Sequence, residues 1–265
     1  LSNYSWFNLG GPSEIFFKPD SVKDIIFFLK ETEPNKINIL GAGSNTLIRD
    51  GGVKGITIKL SSKFSYLDFF SPNIIEVGAA TLDRKVADFA LEHSLTGLEF
   101  LACIPGSIGG AIRMNSGCYG QDISQILHSI KAIDISGNEK NILASDIKFH
   151  YRDCSLNNNL IITSVRLQGR LSSKEDVEKK QQALLEQKKV AQPHQIKTCG
   201  STFKNTKNKK AWELIKESNC QDLQVGSAKI SNKHCNFFVN EGKATAKELE
   251  DLINKVKETV YQKTK

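Results

Sequence analysis

Residues 39–52, which read ILGAGSNTLIRDGG, constrain the fold more than any other part of the chain. A β-branched run leads into Gly41-Ala42-Gly43, as it does in the G-x-G-x-x-G loop that binds dinucleotides. The third glycine of that motif is replaced by Thr46, and further glycines lie where the following helix should run. The pattern therefore predicts a strand-to-strand turn without a helix, in which backbone N–H groups and the Ser44 and Asn45 side chains bind phosphate.

Hydrophobic periodicity predicts short helices and strands that alternate along the rest of the chain. The predicted helices lie at 21–30, at 81–93, from a capping box at Ser172–Glu175 to about Val190, and after a second capping box at Thr245–Glu248, and residues 211–216 form an amphipathic stretch. The predicted strands lie at 38–40, 56–60, 74–77, 130–135, 160–167, 228–230 and 237–240. This alternation, without internal repeats, indicates an α+β protein built from two or three parts.

A second glycine-rich segment spans residues 97–120, and its centre is PGSIGGAIRMN at 105–115. Six glycines and a proline are too many for ordinary regular structure, so the segment is predicted to be irregular. Glycines mixed with isoleucines are typical of a backbone that a flat ligand approaches closely. Two glycine-rich segments about sixty residues apart suggest one cofactor held from two sides.

Composition excludes several other classes of protein. The formal net charge is +7, which suits anionic ligands, but the basic residues are not interleaved with aromatics as nucleic-acid-binding proteins require. No apolar run approaches the roughly 20 residues of a membrane helix, and no signal peptide is visible. The six cysteines have no zinc-site spacing and are interpreted as reduced cytosolic thiols, so no metal is expected.

Five ordered motifs give the chain a specific resemblance. They are GAGSNTLI with a following DGG, the run from Gly97 to Gly120, YRD at 151–153, GSTFKN at 200–205, and NFFVNEG with a following ATA. In this order they resemble the family of UDP-N-acetylenolpyruvoylglucosamine reductases (UDP-N-acetylmuramate dehydrogenases), in the shorter form without an extra tyrosine loop. The flavin motifs are shared more loosely with the vanillyl-alcohol-oxidase or PCMH type of FAD-binding fold.

The resemblance implies a fold and an activity. The expected fold is α+β, with FAD-binding lobes at 1–60 and 61–170 and a linking helix with a substrate-binding domain at 171–265. FAD is the implied cofactor and NADPH the co-substrate, and the implied reaction reduces a UDP-sugar enolpyruvate in peptidoglycan synthesis. A cytoplasmic monomer that binds neither nucleic acid nor membrane is expected.

The resemblance also assigns residues. It places FAD against both glycine-rich segments, at Gly41, Ala42, Gly43, Ser44, Asn45, Leu47, Pro105, Gly106, Ser107, Gly109, Gly110, Ile112 and Asn115. Arg152 is implied as the cation that stabilises the substrate carboxylate as negative charge develops, and Ser201 as the donor of the proton to the α-carbon. Tyr119, Tyr151, Lys204 and Asn205 are the implied substrate-binding residues.

Two positions depart from the family pattern. Cys154 follows YRD where relatives often have serine, although that position is not usually catalytic. The family also places a catalytic glutamate after the last helix, and none of Glu248, Glu250 and Glu258 matches it. We therefore expect that a C-terminal tail is missing from the sequence. The alternatives are a different oxidase with the same flavin-binding architecture and a non-catalytic flavin- or nucleotide-binding protein.

Overall fold

The computed structural model describes residues 1–32, 34 and 36–264. The chain forms two compact units, each assembled from separate stretches. The larger unit contains residues 15–42 and 55–187, and the smaller unit contains residues 1–14, 43–54 and 188–265. The two units show which stretches of the chain pack together, but they do not test domain limits. The domain limits expected from the sequence, at residues 60 and 170, remain a prediction.

Strands, singly or in runs, are separated by one or two helices, as in an α+β protein. The α-helices are α1 Val22–Thr32, α2 Asp83–Glu92, α3 Ile108–Arg113, α4 Lys174–Ala191, α5 Ala211–Glu217 and α6 Ala246–Thr264. The strands are β1 Ser13–Phe17, β2 Ile37–Ile39, β3 Val53–Ile58, β4 Leu67–Ser71, β5 Ile74–Gly78, β6 Leu95–Thr96, β7 Gly117–Cys118, β8 Gln121–Asp122, β9 Leu127–Ile133, β10 Glu139–Leu143, β11 Phe149–His150, β12 Asp153–Cys154, β13 Ile161–Gln168, β14 Arg170–Leu171, β15 Gln224–Val225, β16 Ala228–Ser231 and β17 His234–Asn240.

A five-stranded antiparallel sheet in the order β10-β9-β13-β5-β4 organises the larger unit. β13 is buried along most of its length because it lies at the centre of this sheet. The main core of the unit packs sheet residues such as Ile75 and Val165 against Val86 of α2 and Phe100. A second core joins α1, through Ile25 and Leu29, to isoleucines of β2 and β3.

The predicted turn after β2 is a wider connection than a hairpin. β2 and β3 pair in parallel, with Ile37 opposite Ile56 and Ile39 opposite Ile58. Parallel neighbours cannot be joined by a tight turn, because the chain must return to the starting end of the sheet. Residues 40–52 make this return without a helix, so the predicted strand–loop–strand order is confirmed and the tight turn is corrected to a crossover loop.

The second glycine-rich segment is more regular than its composition predicts. It contains a 3₁₀-helix at Glu99–Cys103 and the six-residue helix α3. Ile108 and Ile112 of α3 are fully buried in the main core, and burying each contributes roughly 1.5–3 kcal/mol. That burial exceeds the helix penalty of about 1 kcal/mol per glycine, so the expectation of irregular structure was wrong here.

The capping box predicted for α4 lies one residue later than expected. The Asp176 N–H donates to Ser173 Oγ at 3.1 Å, whereas the Ser172 N–H donates to the Ser94 carbonyl. Ser173 is therefore the capping residue, and Ser172 belongs to the preceding connection.

The smaller unit has its own core around α6. Leu249, Leu252 and Val256 of α6 are buried against β16, β17 and α5, with Ile253 and Val260 partly buried beside them. The predicted capping box is confirmed: Thr245 N–H donates to Glu248 Oε2 at 2.8 Å, and Glu248 N–H donates to Thr245 Oγ1 at 3.1 Å. Within the described residues, we find no helix with the length and apolar character needed to cross a membrane.

Candidate active site

The two glycine-rich segments meet in the larger unit at Gly41 and Ser107. A Cβ atom added to Gly41 would lie 2.9 Å from Ser107 Oγ, so the two backbones approach closely there. The Gly41 carbonyl also accepts a hydrogen bond from the Lys59 ammonium at 2.5 Å. The structure thus brings the start of the first segment, including Gly41 and Ala42, beside the second.

The other half of the first segment lies in the smaller unit and is fixed by the N-terminal residues. Gly43 has a φ of +71°, and a Cβ there would overlap the Tyr4 carbonyl oxygen. The Gly43 carbonyl accepts from the Trp6 N–H at 3.1 Å. Packing within the protein therefore explains this glycine. Leu47 faces the core of the smaller unit, Ser44 is half-buried and Asn45 is exposed.

Gly109 and Gly110 differ in what surrounds them. The Gly109 N–H donates to the Ala79 carbonyl, and a Cβ at Gly109 would lie 3.1 Å from that oxygen. Among the described residues outside its own helix, the nearest atom to a Cβ at Gly110 would be Ser107 Oγ, at 3.9 Å. Gly110 lies in α3 without a positive φ, so neither conformation nor packing requires glycine. Space left open beside a helix in this way fits a flat ligand.

Two hairpin tips of the larger unit carry predicted substrate-binding side chains. Tyr151 and Arg152 form the tip between β11 and β12, and Arg152 has a φ of +55°. Tyr119, with a φ of +53°, and Gly120 form the tip between β7 and β8. Non-glycine residues in this left-handed region carry backbone strain, which clusters at functional sites. Burial raises the pKa of Tyr119, and the Cys103 and Cys118 thiols raise it further.

Asn115 connects these hairpins. Its Oδ1 accepts from the Ser124 N–H at 3.0 Å, just after β8, and its Nδ2 donates to the His150 carbonyl at 3.4 Å, at the base of the Arg152 tip. The predicted flavin residue Asn115 therefore has a positioning role within the protein. Ile112, another predicted flavin residue, is fully buried in the main core, while Pro105 and Gly106 remain at least partly exposed.

Ser201 lies in the smaller unit, where it forms a β-bridge with Phe237 of β17. Buried Asn236 fixes the backbone just after Ser201. The Asn236 Oδ1 accepts from the Phe203 N–H at 2.9 Å, and the Asn236 Nδ2 donates to the Phe203 carbonyl at 3.0 Å. Asn205 Oδ1 accepts from the Ala211 N–H at 3.0 Å, at the start of α5. Lys204 and Asn205 are exposed on this loop, next to the half-buried Ser201.

Similarity to known proteins extends along the whole chain. The UDP-N-acetylenolpyruvoylglucosamine reductase of Orientia tsutsugamushi (strain Ikeda) is 45% identical over 100% of this chain and 88% of its own length. The enzyme of that name from Pelagibacter ubique is 46% identical over 100% of this chain and 89% of its own.

This chain belongs to the UDP-N-acetylenolpyruvoylglucosamine reductase family.

Family models and a solved structure agree with the fold of this reductase family. Residues 13–142 match a model described as an FAD binding domain, and residues 192–265 match the C-terminal domain of UDP-N-acetylenolpyruvoylglucosamine reductase. The crystal structure of the Thermus caldophilus reductase has a TM-score of 0.89 and 32% identity, covering 97% of this chain and 92% of that one. The predicted family, the α+β fold class and the FAD-binding architecture are therefore confirmed.

Two residues of the recognised motifs have structural roles that the sequence did not predict. Asn236 belongs to the NFFVN motif and received no role, although an asparagine inside an apolar strand already signals a required hydrogen bond. Asp50 of the first segment accepts from the N–H groups of Ala246 and Lys247, at 2.9 and 3.0 Å, and so caps α6. The capping role of Asp50 is visible only in the three-dimensional structure.

Proposed function

We propose that this protein uses NADPH to reduce UDP-N-acetylglucosamine enolpyruvate to UDP-N-acetylmuramate, a precursor of peptidoglycan. The observation that carries this proposal is the 45% identity, over the entire chain, to a protein named for that reductase activity. Residues 13–142 match an FAD binding domain, and FAD is a redox cofactor of the kind that such a reduction needs.

The residues present fit FAD. Gly110 offers an open face beside α3, and Gly41 lies where both glycine-rich segments meet. We assign residues 41–45, Leu47 and the segment 105–115 to FAD binding. When bound, FAD would supply the transfer of a hydride from NADPH to the enolpyruvyl double bond.

Arg152 is assigned to the carboxylate of the substrate. Reduction of the double bond places negative charge on the α-carbon and its carboxylate, and a fixed guanidinium stabilises that charge. The left-handed backbone of Arg152 in a two-residue turn supports this role, since a hairpin holds the residue in one place before substrate binds. Tyr119 and Tyr151, which are exposed at the two hairpin tips, are assigned to substrate binding.

Ser201 is assigned as the donor of the proton that the α-carbon receives. A hydroxyl is a weak acid in water, so its effect depends on accurate placement against the carbon that it protonates. The bridge to Phe237 and the bonds from Asn236 to Phe203 fix the backbone on which Ser201 lies. Lys204 and Asn205, on the same loop, are assigned to the UDP-sugar.

The wider organisation is proposed with the same function. The FAD-binding lobes are placed at 1–60 and 61–170, and the linking helix with the substrate domain at 171–265. The protein is proposed to act as a cytoplasmic monomer. Size-exclusion chromatography with light scattering tests the monomer directly, and a mass of two or more chains would contradict it.

Steady-state oxidation of NADPH, with and without the enolpyruvyl sugar nucleotide, tests the activity. Full-length protein should bind FAD, lose its flavin absorbance on addition of NADPH, and recover that absorbance only with substrate. Arg152→Ala and Ser201→Ala should still be reduced by NADPH but fail to reduce substrate. Arg170→Ala and Ser227→Ala are matched controls that should turn over normally. Absence of substrate-dependent NADPH oxidation would refute the proposed function.

A further inference from the structure

Lys59 lies where three strand ends come together. It directly follows β3, and its N–H donates to the Phe17 carbonyl at the end of β1. The Leu40 N–H, just after β2, donates to the Ile58 carbonyl at 2.9 Å. Lys18 and Lys59 directly follow β1 and β3, and Gly41 lies two residues after the end of β2, so the three residues are neighbours at one end of the sheet. Ligands of parallel sheets bind at the carboxyl ends of the strands.

The Lys59 side chain is directed at the first glycine-rich segment. Its ammonium donates to the Gly41 carbonyl at 2.5 Å. The side chain is half-buried, and burial lowers the pKa of Lys59, with the positive charge of Lys18 lowering it further. A sheet edge that holds two cations close together is complementary to a ligand with more than one negative charge.

The second glycine-rich segment also reaches this edge. Ser107 Oγ lies 2.9 Å from the position of a Cβ on Gly41. Lys59, Gly41 and Ser107 thus combine a cation, a backbone without a side chain and a buried hydroxyl. A diphosphate requires this chemistry: charge to neutralise it, and donors at close range.

We propose that the Lys59 ammonium binds the diphosphate of FAD, a role that rests on the proposed function. UDP-sugars and NADPH carry diphosphates as well. FAD is favoured because Lys59 contacts Gly41, in the segment whose family model is an FAD binding domain.

Titration of flavin-free protein with FAD and with riboflavin tests the assignment, because riboflavin lacks the diphosphate. Lys59→Met should weaken FAD binding by at least about tenfold and leave riboflavin binding unchanged. Lys59→Arg keeps the charge and should retain most of the affinity. Lys63→Met removes an exposed lysine of the same unit and is the matched control. Thermal unfolding of each flavin-free variant verifies folding.

A second measurement needs no variant. FAD should slow acetylation of Lys59 in the wild-type protein, read by peptide mass spectrometry, and leave acetylation of Lys63 unchanged. Equal FAD affinity of wild type and Lys59→Met, or acetylation of Lys59 unaffected by FAD, would overturn the assignment. A higher KM for the UDP-sugar with unchanged FAD affinity would overturn it too, by assigning Lys59 to the other diphosphate. Failure of the wild-type protein to bind FAD would refute the proposed function itself.

Discussion

The carboxamide of Asn236 bonds both backbone groups of Phe203, accepting from its N–H at 2.9 Å and donating to its carbonyl at 3.0 Å. Asn236 is 3% exposed and lies 33 residues further along the chain. One buried side chain thereby determines where the loop of Ser201 passes β17. A residue with no chemistry of its own can in this way position the hydroxyl that is proposed to donate the proton.

Asn236→Leu should lower kcat by more than about tenfold, because the loop of Ser201 loses both bonds to Phe203. Reduction of the flavin by NADPH should proceed at the wild-type rate. Asn236→Asp keeps the acceptor and should have an intermediate kcat.

The matched control is Asn240→Leu on the same strand. The Asn240 amide donates to Phe7, and the Asn240 side-chain oxygen accepts from Gly242 and Ala244. That variant should lose roughly 1–3 kcal/mol of unfolding free energy yet keep kcat per folded molecule. Equal kcat in both variants would contradict the positioning role.

Gly110→Ala should change stability and flavin binding in opposite directions. Alanine removes a helix penalty of about 1 kcal/mol and meets only Ser107 Oγ, so flavin-free protein should unfold at the same or a higher temperature. Its FAD dissociation constant should rise by about tenfold or more, because the new methyl group occupies the open face. Gly109→Ala, forced against Ala79, should instead lose stability. Unaltered FAD affinity in Gly110→Ala would remove Gly110 from the flavin site.

Asp83 should make the protein less stable as pH rises. It is fully buried, and neither carboxyl oxygen has a hydrogen-bond partner among the described residues. Burial raises the pKa of Asp83 well above its usual range. The folded state then keeps a proton that the unfolded chain releases above about pH 4, so unfolding free energy falls by up to about 1.4 kcal/mol per pH unit until the folded pKa is passed.

The Asp83→Asn variant cannot titrate at this position, so its unfolding free energy should rise relative to that of the wild type as pH increases from 5 to 8. Urea unfolding at several pH values measures the difference, and Asp68→Asn, an exposed carboxylate of the same unit, is the control. Parallel stability curves for the wild type and Asp83→Asn would show that Asp83 ionises at the same pH in the folded and unfolded states.

Asp50→Ala should cost about 1 kcal/mol of unfolding free energy in the smaller unit, because α6 loses acceptors for its first two N–H groups. Urea denaturation followed by circular dichroism measures the cost. Asp251→Ala breaks only the exposed pair with Lys247 and should cost roughly 0.3–0.5 kcal/mol. A smaller effect for Asp50→Ala than for Asp251→Ala would contradict the capping role.

Local signals in the sequence were sufficient for elements whose determinants are adjacent in the chain. Thr245 and Glu248 are three residues apart, so their capping box was predictable, as was the apolar face of α6. The parallel pairing of β2 with β3 was not, because strand direction depends on how the whole sheet assembles. α3 formed despite its glycines because Ile108 and Ile112 find a core that the sequence does not display.

The candidate site was predicted through whole motifs, and the structure separates the roles within them. Gly43 serves packing against Tyr4, whereas a Cβ at Gly110 would meet only Ser107 Oγ, at 3.9 Å, among the described residues outside its helix. A sequence motif shows a glycine at both positions and does not distinguish a glycine required for packing from one beside open space. Asn236 and Asp50 escaped prediction because their partners lie 33 and about 200 residues away.

The smaller unit is built from stretches that lie far apart in the chain, so a nascent chain can fold this unit only late in synthesis. Residues 43–54 pack with residues 188–265, which are made only after the last residue of the larger unit, residue 187. At roughly 5–20 residues per second, residues 43–54 wait on the order of ten seconds or more until α6 has been made. Residues 43–54 therefore reach their packed positions late in synthesis, after the larger unit has had time to fold.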